Sequence, residues 1–132
     1  MRVYLDTAIL IYLVEDVPPF CAVASARLAA AEVEKITSDL ARMEALVLPL
    51  RNGDEKLVAA FHGYIDKACT EALELSRAVM ETAAALRARH AFLRTPDAIH
   101  LAAAIEGKCD VFLTNDHRLD RFTEITVEVL TP

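Results

Sequence analysis

Short apolar, β-rich runs alternate along this chain with longer segments of helical period, and no hairpin-type turn joins two of the runs. Strands that lack tight turns must return through crossovers, so they pair in parallel and need cover on both faces. The runs are 2–5, 35–38, 111–113 and 125–129, the last alternating as an edge strand does. Around residues 70–74 propensity favours helix, whereas topology favours a further short strand. The expected class is α/β, with a mostly parallel central sheet of about four to five short strands and helices on both faces.

The helical segments can be bounded from their caps. Asp6 or Thr7 caps a helix running to about Glu15, which Pro18-Pro19 then stops. Residues 19–34 are Ala-rich and read as one helix. Ser38 or Asp39 caps the next, in which Leu40, Met43, Val47 and Leu50 recur at helical spacing and predict its buried face. After the break at Asn52-Gly53-Asp54, helices are expected over about 55–67 and 76–90. Thr95 as cap and Pro96 at the first helical position start the last, which ends at Gly107.

At 132 residues and 55% hydrophobic composition, the chain fits one compact domain with a real core. No apolar run approaches the roughly 20 residues that span a bilayer, and residues 8–14 lack a basic leader, so the cytoplasm is the expected address. Cys21, Cys69 and Cys109 have neither zinc-ligand nor disulfide-framework spacing and read as core fillers. The net charge of −6 argues against a nonspecific nucleic-acid binder. Two bound divalent ions would bring −6 to −2, which leaves an anionic substrate open.

Four acids stand where solubility does not explain them. Asp6 ends the run Val3-Tyr4-Leu5, and Asp116 follows Val111-Phe112-Leu113 after Thr114-Asn115. Glu44 borders an apolar helix face, and Asp97 lies in a first helical turn, four residues before Leu101. In open α/β sheets, ligands bind outside the carboxyl ends of the strands. A fold that brings two strand ends and two helices together there would converge four negative charges. Such a cluster repels itself unless cations hold it, which points to Mg²⁺ or Mn²⁺ and to in-line displacement at a phosphodiester. Each acid also has a local alternative: a cap for Asp6, a dipole-favoured first turn for Asp97, pairing of Glu44 with Arg42 or Arg51, and a turn for Asp116.

The stretch from Val3 to Tyr12, Ser38-Asp39-Leu40-Ala41-Arg42-Met43-Glu44, Thr95-Pro96-Asp97-Ala98-Ile99-His100-Leu101-Ala102-Ala103-Ala104 and Phe112-Leu113-Thr114-Asn115-Asp116 resemble, in order and spacing, the four acidic motifs of PIN domains, in particular VapC-type toxins of toxin–antitoxin pairs. The resemblance covers nearly the whole chain. It implies a PIN-like three-layer fold and an endoribonuclease dependent on Mg²⁺ (or Mn²⁺), with Asp6, Glu44, Asp97 and Asp116 as the catalytic and metal-holding residues. Asp6 would be the central ligand, Asp97 and Asp116 would complete the primary site, and Glu44 would position a second ion or the attacking water. Thr7, Ser38, Thr114 and Asn115 match polar positions that orient ligands or water. Ala8 departs from the Asn or Ser found in many members. The implied partners are an RNA substrate, a cognate antitoxin protein and a second copy in a homodimer, with DNA met only through the antitoxin and no membrane.

Other readings lack residues. A haloacid-dehalogenase-type phosphatase needs a second Asp at the place of Ala8, and a receiver domain needs a paired acid near the first strand. A non-catalytic PIN-like module that binds RNA or protein is the surviving alternative. The basic stretch Arg87, Arg89, His90 and Arg94 either steers RNA phosphates or forms a solvated helix end. His100, three residues after Asp97, is expected to be partly buried and hydrogen-bonded beside the site.

Overall fold

In the computed structural model, which describes residues 1–132, five strands form one sheet: β1 (Arg2–Leu5), β2 (Glu34–Ser38), β3 (Glu71–Leu73), β4 (Val111–Thr114) and β5 (Thr126–Val129). Their order is β3-β2-β1-β4-β5, and every pairing is parallel. The chain builds outward from β1 on one side, then crosses back to add β4 and β5 on the other. The crevice between β1 and β4 is thus the topological switch point, where a parallel sheet opens a site beyond its carboxyl ends.

Six α-helices cover the sheet: α1 (Thr7–Val14), α2 (Phe20–Arg27), α3 (Asp39–Arg51), α4 (Glu55–Gly63), α5 (Arg77–Arg89) and α6 (Thr95–Glu106). Residues Tyr64–Ala68 extend α4 as a wider π-helical turn, and His117–Arg121 form a 3₁₀ turn. The period-2 pattern of the central strands sorts the core into layers. Tyr4, Ile36 and Phe112 face α5 and α6, where they meet Val79, Leu86 and Leu101. Val3, Leu5, Val111 and Leu113 face the opposite way, against Ile9, Ala24 and Leu28. Tyr4 and Phe112 stack with ring centroids 5.2 Å apart, joining β1 to β4 below the switch point.

Two sequence expectations need correction. The helix predicted over 19–34 ends at Arg27, and residues 28–33 turn back toward the sheet. Register demands this: β2 begins opposite Arg2, and the Glu34 N–H is held by the Met1 carbonyl. Ala-rich propensity is a weak preference that such pairing overrides. The buried face of α3 is also not the predicted one. Of Leu40, Met43, Val47 and Leu50, only Leu40 is buried. Ala41, Ala45 and Pro49 are buried instead, and the two alanines join Leu10, Phe61 and Ile65 in a core between α1, α3 and α4. Small residues let helices approach closely, so here alanines take the inside and larger apolar side chains face outward.

Gly107, the C-cap of α6, shows how tightly this end is packed. A Cβ there would lie 2.6 Å from Leu73 Cδ1 and 3.0 Å from the Ala103 carbonyl. Close approach, not backbone sign, therefore selects the glycine. The left-handed position that usually favours glycine falls one residue later, on Lys108 at φ 58°.

Candidate functional site

Each of the four acids is delivered by an element that begins or ends at the carboxyl side of the sheet. Asp6 is the N-cap of α1 directly after β1, and its Oδ1 accepts the Thr7 N–H at 2.9 Å. Ser38 caps α3 after β2 by accepting the Ala41 N–H, which sets Glu44 one and a half turns into that helix. Asp116 caps the 3₁₀ turn after β4, accepting the Arg118 N–H at 2.9 Å. Asp97 stands at the third position of α6 and accepts the Arg94 N–H at 3.0 Å. The cap of α6 is therefore Arg94, not Thr95, and Pro96 falls at the second helical position.

Shared partners tie the four together. Thr114 Oγ1 donates to Asp6 Oδ2 at 2.6 Å and accepts the Asp116 N–H at 3.1 Å. Arg118 Nη2 lies 2.6 Å from Asp116 Oδ2 and 3.2 Å from Asp97 Oδ2. His100 Nε2 lies 2.6 Å from Glu44 Oε1 and 3.7 Å from Asp6 Oδ1. The result is one continuous polar network from Glu44 through Asp6 and Asp116 to Asp97. Within it, no three acidic or imidazole groups stand close enough to enclose one ion as the chain stands. Asp6, Glu44, Asp97 and Asp116 thus converge as two bridged pairs instead of a bare, self-repelling cluster.

His100 carries more of this arrangement than its spacing suggested. It is almost fully buried, and its Nδ1 lies 2.7 Å from the Tyr4 hydroxyl, itself 2.6 Å from Ser38 Oγ. Burial raises the Tyr4 hydroxyl well above the usual tyrosine range, so it remains a proton donor. With a neutral imidazole every proton has a place: Ser38 donates to Tyr4, Tyr4 to Nδ1, and Nε2–H to Glu44. Thr7 Oγ1 adds a second donor to the same Glu44 oxygen at 2.7 Å. Bonds from His100 and Thr7 hold the Glu44 carboxyl below the usual glutamate range, against the opposing pull of burial. Glu44 Oε2 and Asp97 Oδ1 have no hydrogen-bond partner in the protein and remain available.

Of the polar neighbours expected from sequence, Thr7, Ser38 and Thr114 all join this network. Asn115 does not: its amide donates to the Tyr12 hydroxyl at 2.8 Å, beside the stacked pair Tyr12–Phe20. Sequence reasoning missed Tyr4 and Arg118. An apolar run gives no sign that its tyrosine hydroxyl points inward, and an arginine in a short turn has no spacing signature.

Three of the four residues in the basic stretch are tied up structurally. Arg89 and His90 both bond Glu124, while Arg87 reaches the Leu93 carbonyl and Thr95. Arg94 is exposed, and its guanidinium has no partner in the protein. The bonds from Arg89 and His90 hold Glu124 down to about 2. Its folded value is depressed, so the stabilisation is present above the ordinary carboxylate range and is lost as pH falls toward about 2. Glu124→Gln is expected to flatten the acid limb of a stability-versus-pH curve in that window; an unchanged limb would show that this Arg89–Glu124–His90 triad contributes nothing.

The donor set suits a hard divalent cation. All four candidates offer carboxylate oxygen, and Mg²⁺ binds through one or two carboxylates while keeping several waters. A guanidinium already drawn between Asp97 and Asp116 is direct evidence of the negative potential there. The largest concavity, about 530 Å³, lies at the opposite end of the sheet around Arg2, Glu71 and Gly107. Arg2 is saturated there by Glu34, Glu71 and the Gly107 carbonyl, which is what a structural clamp between strands requires.

No curated protein sequence matches the chain. Solved structures resemble it in fold over nearly their full length. A toxin–antitoxin complex from Klebsiella pneumoniae superposes with a TM-score of 0.73 at 23% identity, covering 96% of both chains. VapBC2 from Rickettsia felis, bound to a DNA fragment from its promoter, gives 0.72 at 18% identity, covering 99% of this chain and 100% of that one. VapC20 of Mycobacterium tuberculosis, a Sarcin-Ricin loop cleaving toxin, gives 0.72 at 16%, covering 94% and 98%. The sequence profile of the PIN domain matches residues 3–125, the span that holds all four acids, and the chain belongs to the PIN domain family.

Proposed function

We propose that this protein is an endoribonuclease dependent on Mg²⁺ or Mn²⁺, and that it is the toxin of a toxin–antitoxin pair. The observation that carries the reading is the polar network joining Asp6, Glu44, Asp97 and Asp116 at the switch point of a PIN-domain sheet. Asp6, Asp97 and Asp116 would hold the ion, and Glu44 would orient a second ion or the attacking water. When bound, a divalent ion stabilises charge on the scissile phosphate and makes water a better nucleophile at neutral pH. The chain's own residues supply the rest. Thr114 fixes the Asp6 carboxylate, and His100 with Thr7 fixes one Glu44 oxygen and leaves the other free to orient the attacking water.

The toxin role is supported by the fold shared with the Klebsiella pneumoniae and Rickettsia felis proteins, both from toxin–antitoxin systems. An antitoxin and a second copy of the chain both need apolar surface. Met43, Val47, Leu48 and Leu50 of α3 offer it, all more than two-fifths exposed. No helix is long and apolar enough to cross a membrane.

A non-catalytic module that binds RNA or protein is the second reading, favoured by one observation: Arg118 already neutralises Asp97 and Asp116. Incubation of the purified protein with a mixed RNA pool separates the two. Cutting is expected with Mg²⁺ or Mn²⁺ and none with EDTA. Cutting that persists in EDTA would remove the metal mechanism, and no cutting with either metal would favour the binding module.

A further inference from the structure

Arg118 reaches the carboxylates through a single nitrogen, Nη2, at 2.6 Å from Asp116 and 3.2 Å from Asp97. Its remaining guanidinium nitrogens have no partner in the protein, and its side chain is 38% exposed. The backbone beneath it is fixed, because Arg118 N–H is held by Asp116 Oδ1. The side chain is therefore anchored at its base, gripped at one corner, and otherwise free at the rim. The guanidinium now holds Asp97 Oδ2 and Asp116 Oδ2, so a divalent ion drawn between these two carboxylates meets a positive charge a few ångströms away and is repelled by it.

We propose that Arg118 is a built-in competitor for the divalent ion, one that swings outward when the ion binds and then holds an RNA phosphate at the rim. The inference rests on the metal-dependent reading above. Arginine suits both positions: its planar fork pairs equally with carboxylate and with phosphate, and it stays charged throughout. Competition lowers apparent ion affinity by the fraction of molecules in which the site is open. An arginine seated nine-tenths of the time would weaken binding about tenfold. Displacement delivers the freed charge next to the reacting phosphodiester, so ion binding and substrate binding reinforce each other.

Arg118→Met keeps the length of the side chain and removes the charge; Arg118→Lys keeps the charge and loses the fork. Mn²⁺ binding to metal-free protein, read by the electron spin resonance of the unbound ion, is measured for wild type, both variants and Asp97→Asn. Tighter binding by about tenfold is expected for Arg118→Met, an intermediate value for Arg118→Lys, and loss of binding for Asp97→Asn. At saturating Mn²⁺, Arg118→Met should raise KM for RNA, with a salt dependence shallower by about 0.7 in log–log slope. Unchanged or weaker Mn²⁺ binding in Arg118→Met, with wild type still binding and Asp97→Asn not, overturns the competitor role and leaves the metal reading intact. An unchanged KM overturns the phosphate role. Absence of Mn²⁺ binding in wild type and Arg118→Met alike overturns both the metal reading and this inference.

Discussion

Asp6→Asn is expected to lower RNA cleavage by about 10³-fold or more, equivalent to roughly 4 kcal/mol of lost transition-state stabilisation. Asp6 caps α1 at the end of the central strand, and its neighbours are two donors, the Thr7 N–H and the Thr114 hydroxyl. Asparagine is as good an N-cap as aspartate, so it keeps the helix start while losing the charge and the second acceptor oxygen that the Thr114 hydroxyl now uses. The fold should therefore survive with a stability change within about 1 kcal/mol. Bare repulsion among four like charges would make removal of one raise the melting temperature of the metal-free protein. Arg118, His100, Thr7, Thr114 and backbone donors already offset the repulsion, so little remains to relieve. Single-turnover cleavage and metal-free melting measured together decide the matter. A cleavage loss below about tenfold would remove Asp6 from the reaction, and a loss of several kcal/mol in stability would make it structural.

His100→Leu is the second large effect, because it acts on site and core together. The imidazole spans from the buried Tyr4 hydroxyl to Glu44, and leucine fills the volume while removing both bonds. Loss of a residue that orients a ligand costs about 10–100-fold in metal affinity or activity. Leaving the Tyr4 hydroxyl with Ser38 alone and Glu44 with Thr7 alone should destabilise the fold by about 1–3 kcal/mol. Tyr4→Phe removes the hydroxyl and keeps the ring stacked on Phe112, so its stability cost should be smaller. A double-mutant cycle of these two changes should show strong coupling, since both cut the same chain of bonds. Acid titration adds a signature. Glu44 is held below the ordinary glutamate range chiefly by His100, so its stabilisation is present above that range and lost as pH falls through the depressed value. In His100→Leu that cause is gone while burial remains, and acid loss should begin at higher pH. Unchanged cleavage and an unchanged acid limb would show that His100 only fills space.

The features legible in sequence are those set by local rules. Caps at Asp6 and Ser38, the break at Asn52-Gly53-Asp54, and the parallel strand pattern each follow from backbone geometry within a few residues. The four acids stood out because each interrupts an apolar context at a strand end or on a helix. What sequence hid was set by contacts between distant elements. The helix expected to run to residue 34 stops at Arg27 because β2 must start opposite Arg2. Met43, Val47 and Leu50 of α3 face outward because helical period marks every apolar stripe, and only the neighbours α1 and α4 decide that Ala41 and Ala45 go inside. Arg118 belongs to the same class: its two-residue offset from Asp116 is visible in sequence, but its contact with Asp97, 21 residues away, is not.

The claim on which the rest depends is that Asp6, Asp97 and Asp116 form a divalent-cation site at the β1–β4 switch point. Diffraction from crystals soaked in Mn²⁺, with anomalous scattering used to locate the ion, tests it most directly. A Mn²⁺ peak is expected within ligand distance of at least two of these carboxylates, with Arg118 turned away from Asp97. A well-occupied peak elsewhere, or none there at saturating Mn²⁺ with Arg118 still bridging Asp97 and Asp116, would contradict it.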